Sequence, residues 1–103
     1  MRVTNTSVSG LGFWDFTVEA VWNRGVMVSG YDPAVWRQDK CGAWIRRDHY
    51  GNTDSQHGWE IDHIRPVSDG GGDELANLQP LHWRNNRGKG DNYPTWSCVV
   101  RAS

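Results

Sequence analysis

Apolar positions in this chain come in short bursts separated by polar and glycine-rich stretches, and each burst has the length of one small element. Trp14, Val18, Val21 and Trp22 recur at helical spacing with Gly25 as a stop, although Trp14, Phe16, Val18, Ala20 and Trp22 also alternate as a strand would. Helix is the reading adopted. Asp32 before Pro33 has the form of an N-cap and first helical position, which predicts a short helical turn over Ala34 to Gln38. CGAWIRR and GWEIDHI read as short strands on either side of the polar loop DHYGNTDSQH. The run from Ser68 to Asp73 contains Gly70, Gly71 and Gly72, cannot continue a strand, and predicts a flexible excursion. NLQPL then reads as another strand, HWRNNRGK as a short helix cut off by Gly88 and Gly90, and WSCVV alternates like a final strand. Met1 to Gly12, rich in Thr, Ser, Asn and Gly, predicts a loose arm.

The 103 residues suit one domain with a small core. Hydrophobic residues make up 37% and seven of the side chains are Trp, so burial must rest on large aromatics, with Trp44, Trp59 and Trp83 as expected packing anchors. No run approaches the roughly 20 apolar residues that span a bilayer. MRVTNTSVSG also lacks the apolar stretch of a secretion signal, so the expectation is a cytoplasmic protein without a membrane role. Two cysteines are too few for a disulfide framework, and Cys41 and Cys98 are expected as free thiols, a single bridge being the alternative. A formal net charge of −1 excludes a strongly basic body that grips nucleic acid by bulk electrostatics. Charge is uneven, however. Arg37, Lys40, Arg46 and Arg47 face only Asp39 over their stretch, and Arg84, Arg87 and Lys89 stand together without an acid.

The chemistry is concentrated in residues 59–90, WEIDHIRPVSDGGGDELANLQPLHWRNNRGKG. This window resembles the HNH endonuclease family, whose ββα-metal motif is two antiparallel strands, a long loop between them and one helix. Asp62-His63 matches the family's Asp-His pair at the end of the first strand; Asn77, 14 positions after His63, matches the central Asn; Asn86, nine positions later, matches the third letter as Asn. Lys89 matches a basic residue at the end of the helix. The resemblance covers about a third of the chain, and its weight lies in several spacings agreeing together. It implies an α+β fold: a small single domain over 13–103 built on a ββα-metal (HNH) finger at 59–90, with an N-terminal helical extension behind the arm at 1–12.

What the resemblance implies about function is a divalent-metal-dependent endonuclease that nicks or cleaves DNA, leaving 5′-phosphate and 3′-hydroxyl ends. His63 would be the general base, Asp62 and Asn86 the metal ligands, and Asn77 the residue that orients the base; a register slip of one would substitute Asn85 for Asn86. These residue types suit the task. A neutral imidazole takes a proton from water near neutral pH, and a hard ion such as Mg²⁺, for which Mn²⁺ can substitute, prefers carboxylate and carbonyl oxygens. Neighbouring residues of a strand face opposite ways, so Asp62 and His63 can share a site only where the strand ends. His82, four positions before Asn86, is a candidate auxiliary metal ligand or leaving-group acid, whereas His57 and His49 read as loop residues. Arg46, Arg47, Arg84, Arg87 and Lys89 are the candidate phosphate contacts, the bland reading of each being a solvated surface charge.

Many members of the family brace the finger with a zinc held by two Cys-x-x-Cys pairs. The matching stretches here are Cys41-Gly-Ala-Trp44 and His82-Trp-Arg-Asn85, in which only Cys41 and His82 are good ligands, so a structural zinc is not expected and aromatic packing is expected to brace the finger instead. The implied partner is DNA, in a bacterial or phage setting. Two other readings stand beside the enzyme: a nucleic-acid-binding or assembly module without turnover, and a toxin-like nuclease with an inhibitor protein or larger nuclease complex.

Overall fold

In the computed structural model, which describes residues 3–102, each element is short and ends where the chain supplies a reason. Met1 and Arg2, the beginning of the expected arm, and Ser103 lie outside the described residues. Helix α1 (Asp15–Trp22) buries Val18, Val21 and Trp22, while Trp14 at its N-cap is 75% exposed. Strands β1 (Trp36–Gln38) and β2 (Trp44–Arg46) form one antiparallel pair, and β3 (Trp59–His63) and β4 (Leu78–His82) form another, followed directly by α2 (Trp83–Lys89). Two helices with two small antiparallel sheets make an α+β fold, as expected. Val18, Val21, Trp22, Ile45, Trp59, Ile61 and Leu78 form the core, and the Trp22 and Trp59 rings meet at 5.3 Å.

Several local expectations give way to tertiary contacts. The Asp32-Pro33 turn forms, with Asp32 Oδ1 accepting from the Ala34 N–H at 2.9 Å, but Trp36–Gln38 leave it as β1 and pair with β2. No helical turn reaches Gln38. The tail WSCVV is not a strand; Asn85 holds it instead, its Oδ1 accepting from Val99 and Val100 N–H at 2.7 Å each and its Nδ2 donating to Val100 O. That docking brings Cys98 to Cys41, and the two form a disulfide rather than the expected free thiols. The arm is tied down as well, since Asn5 Oδ1 accepts from Ile61 N–H at 2.8 Å and from the Tyr50 hydroxyl. Of the tryptophans, Trp22 and Trp59 are wholly buried, whereas Trp36, Trp44, Trp83 and Trp96 are half-buried and Trp14 is exposed.

One carboxylate joins these parts. Asp39, 2% exposed, accepts at Oδ1 from the N–H groups of Cys41 and Ala43 and at Oδ2 from the His82 N–H and Asn85 Nδ2, all at 2.9 Å. His82 is the N-cap of α2: its Nδ1 accepts from the Arg84 N–H and its Nε2 donates to Gln56 O. With both ring nitrogens so engaged and only 3% exposed, His82 is a cap and not the auxiliary ligand or acid that the sequence suggested.

In Asp39→Asn the amide nitrogen would confront two donors in place of one carboxylate oxygen, and stability should fall by about 3 kcal/mol in chemical denaturation. Reduction, or Cys98→Ser, reopens a loop with 57 residues of separation and should lower stability by about 2–5 kcal/mol, read as a shift in the same denaturation midpoint. Burial holds the His82 ring below the ordinary histidine range, with the Gln56 carbonyl opposing. The folded state therefore binds that proton less readily than the unfolded chain. The stability linked to His82 is whole above about pH 6.5 and is lost as the pH falls below it. A melting temperature that drops from pH 6.5 to 5, and drops less in His82→Asn, is the expected result.

Candidate active site

Strand β3 carries the site because its last two residues fall where the ladder ends. Register pairs Asp62 with Gln79 and His63 with Leu78, after which the chain turns away through Ile64 and Arg65. Asp62 and His63, on opposite faces along the strand, both line a cleft of about 680 Å³ together with Asn86 and Arg87 of α2, Gly90 and Asp91 after it, and Val3, Thr4, Asn5 and Thr6 of the arm. The arm thus forms a wall of the cleft.

Asp62 is 5% exposed. Its Oδ2 accepts from Gln79 Nε2 at 2.9 Å, and its Oδ1 lies 3.2 Å from Lys89 Nζ, which also donates to His63 O at 3.0 Å. Burial pushes the Asp62 carboxyl above its ordinary range, while the Gln79 bond and the Lys89 charge pull the other way. Asn86 donates from Nδ2 to Glu60 Oε1 at 3.1 Å, which leaves its carbonyl oxygen as the atom to present to a ligand. Glu60 is itself 3% exposed and takes Arg87 Nη2 on its other oxygen at 3.1 Å. Among the described residues no three His, Cys, Asp or Glu side chains cluster as a closed metal cage. What the cleft offers is one carboxylate and one amide carbonyl. A carboxylate has about four lone-pair sites and Asp62 uses two, so this pair fits an ion of the Mg²⁺ kind, which takes one or two protein oxygens and fills its remaining positions from water and phosphate.

His63 meets a residue that the sequence did not single out: its Nε2 lies 2.8 Å from Asp73 Oδ1. Asn77 does not touch the ring. Its side chain instead accepts from Arg65 N–H at 2.8 Å and donates to Arg65 O and Gly72 O, holding the loop between β3 and β4. Gly71 packs so closely beneath that loop that a Cβ there would stand 1.7 Å from Arg65 O. The run read as a flexible excursion is thus pinned from within, with a 3₁₀ turn at Val67–Asp69.

The five expected phosphate contacts scatter. Arg87 lines the cleft; Arg84 lines a second pocket with His57 and His82; Arg46 and Arg47 pair with Asp48 and Glu19. Lys89, 1% exposed, is a buried counter-charge to Asp62 and is not open to a phosphate. Asn85, the register alternative to Asn86, is wholly buried and occupied by Asp39 and the tail. Of the residues missed, Glu60 was findable, because it stands two before Asp62 and shares its strand face. Asp73 was not, since no periodicity links a loop carboxylate to a ring ten residues away.

Residues 46–92 match the model of the family described as HNH endonuclease, a span that holds β3, β4, α2 and every residue of the cleft except those of the arm. No curated protein and no solved structure matches the chain significantly. The family's members are nucleases that act on nucleic acid, typically with a divalent metal. The element order strand, pinned loop, strand, helix over Trp59–Lys89 is the ββα arrangement that the resemblance implied, and it falls inside residues 46–92, where the chain is similar to the HNH endonuclease family.

Proposed function

We propose that this protein is an endonuclease that hydrolyses phosphodiester bonds of DNA, with His63 as general base on water and with Asp62 and Asn86 as the residues that would hold one divalent ion, Mg²⁺ by preference. The observation that carries this reading is that the three side chains, separated by up to 24 positions in the chain, line one cleft. Asn77 acts from a distance, by fixing the loop that follows His63.

The residues divide the reaction among them. His63 sits at the rim of β3 with 10% of its side chain exposed, enough to meet a water molecule yet confined to one orientation. Taking a proton from that water makes hydroxide in place, and removing a general base typically lowers a rate by about 10² to 10⁴. Asp62 supplies negative charge in a desolvated setting, and Lys89 keeps that charge tolerable before any ligand arrives. Glu60 turns Asn86 so that oxygen, not nitrogen, faces the ligand. When bound, the divalent ion would relieve charge on the phosphate and on the departing 3′ oxygen. Arg87, 49% exposed, is the basic side chain at the cleft that can meet a DNA phosphate. No helix among the described residues is long and apolar enough to cross a membrane.

Supercoiled plasmid incubated with the protein should be nicked or linearised in Mg²⁺ or Mn²⁺ and left intact in chelator. His63→Ala should lose at least about 10²-fold in rate while melting like the wild type. Cleavage by His63→Ala at the wild-type rate would remove His63 from the chemistry.

A further inference from the structure

Asp73 stands at the meeting point of three segments that are remote in sequence. Its Oδ1 lies 2.8 Å from His63 Nε2, and both carboxylate oxygens face the Val8 N–H, at 3.1 and 3.2 Å. The loop that carries Asp73 is anchored on either side, by Arg65 and Gly72 bonded to Asn77 and by the close approach of Gly71 to Arg65 O. A carboxylate placed this way is not a free surface charge. The rest of its loop and the arm decide where it points, and the ring follows. Phe13, its ring 6.0 Å from that of His63, adds an apolar neighbour on the same histidine.

We infer that Asp73 is the positioning residue of the His63 base, fixing the ring through Nε2 so that Nδ1 is the nitrogen that acts on water. This rests on the nuclease reading above. An ionised carboxylate accepts and does not donate, so its neutral imidazole partner must carry the proton on Nε2 and the lone pair on Nδ1. The same carboxylate lies against the imidazole when that ring gains a proton, and a fixed anion there stabilises the charge that develops, with no reorganisation at the moment of reaction. Partners of this kind typically change activity by about 10- to 100-fold when removed. The arm thereby acquires a part in the site: its Val8 N–H holds the carboxylate that holds the base.

The test compares wild type, Asp73→Ala and Asp73→Asn in Mg²⁺-dependent plasmid cleavage, together with the His63 Nε2–H proton in a ¹H–¹⁵N spectrum of the uniformly labelled protein. Expected for Asp73→Ala is a kcat lower by about 10- to 100-fold, with KM for DNA and the half-saturating Mg²⁺ concentration within about twofold of wild type, and loss of the protected Nε2–H signal. Asp73→Asn, whose amide oxygen can still accept, should recover the signal and part of the rate. An Asp73→Ala protein with wild-type kcat, or one whose deficit lies in KM or in metal demand, overturns the positioning role. So does an unchanged Nε2–H signal. Absence of cleavage by the wild type itself would instead remove the nuclease reading, and the role with it, which separates the two failures.

Discussion

The buried carboxylate of Asp39 is the constraint from which the geometry of the site follows. An ionised group at 2% exposure is tolerable only when its lone pairs are taken, and four N–H donors from two separate regions take them. Two belong to its own tight loop and two to the start of α2, so that satisfying this charge welds the β1–β2 hairpin to the helix. The helix is only seven residues long, too short to hold itself in water, and owes its existence to such contacts. With its first turn fixed by Asp39 and capped by His82, its next residues can only fall beside β3. Asn86 then reaches Glu60, and Lys89 reaches Asp62. The bracing that the sequence assigned to aromatic packing is shared with this carboxylate, with Asn85 and with the Cys41–Cys98 bridge.

What could be read beforehand was what local pattern controls. GWEIDHI and NLQPL alternate and are punctuated at both ends, and they are β3 and β4; HWRNNRGK has its cap and its stop, and it is α2. The Asp-His, Asn and Asn spacings pointed at residues that the fold brings to one cleft or to the loop beside it. Failures came where a partner elsewhere overrode a local signal. The Asp32 cap is real, yet Trp36–Gln38 have Trp44–Arg46 to pair with, and pairing outweighs three residues of helical preference. WSCVV alternates, but its backbone bonds go to one side-chain amide, Asn85, which no strand pattern foretells. Lys89 read as a phosphate contact because nothing in the sequence says that the end of α2 meets the end of β3.

Strand periodicity and the proposed chemistry pull against each other at Asp62 and His63. Two adjacent strand residues cannot face the same space while the ladder continues, and here it stops at the His63–Leu78 pair. Lys89 supports that stop by donating to His63 O, an acceptor at the terminus of β3, while its charge serves Asp62. The loop then has to be rigid, since a mobile continuation would let the ring wander. Asn77 supplies that rigidity through its bonds to the Arg65 and Gly72 backbone, without touching the ring.

Charge around the cleft gives the proposed reading its last step. Asp62 and Asp91 line it, Glu60 lies just behind Asn86, and the basic side chain among the lining residues, Arg87, is already shared with Glu60. A DNA phosphate approaching such a wall meets more negative than positive charge at short range, in a molecule whose net charge of −1 gives no long-range compensation. Lys89 cannot help, being spent on Asp62 beneath the surface. On the proposed reading the cleft would become attractive to a polyanion only after a cation joined the Asp62 and Asn86 oxygens, and cation and substrate binding would then support each other. The same desolvated carboxylate that would repel DNA in its absence is what would hold that cation.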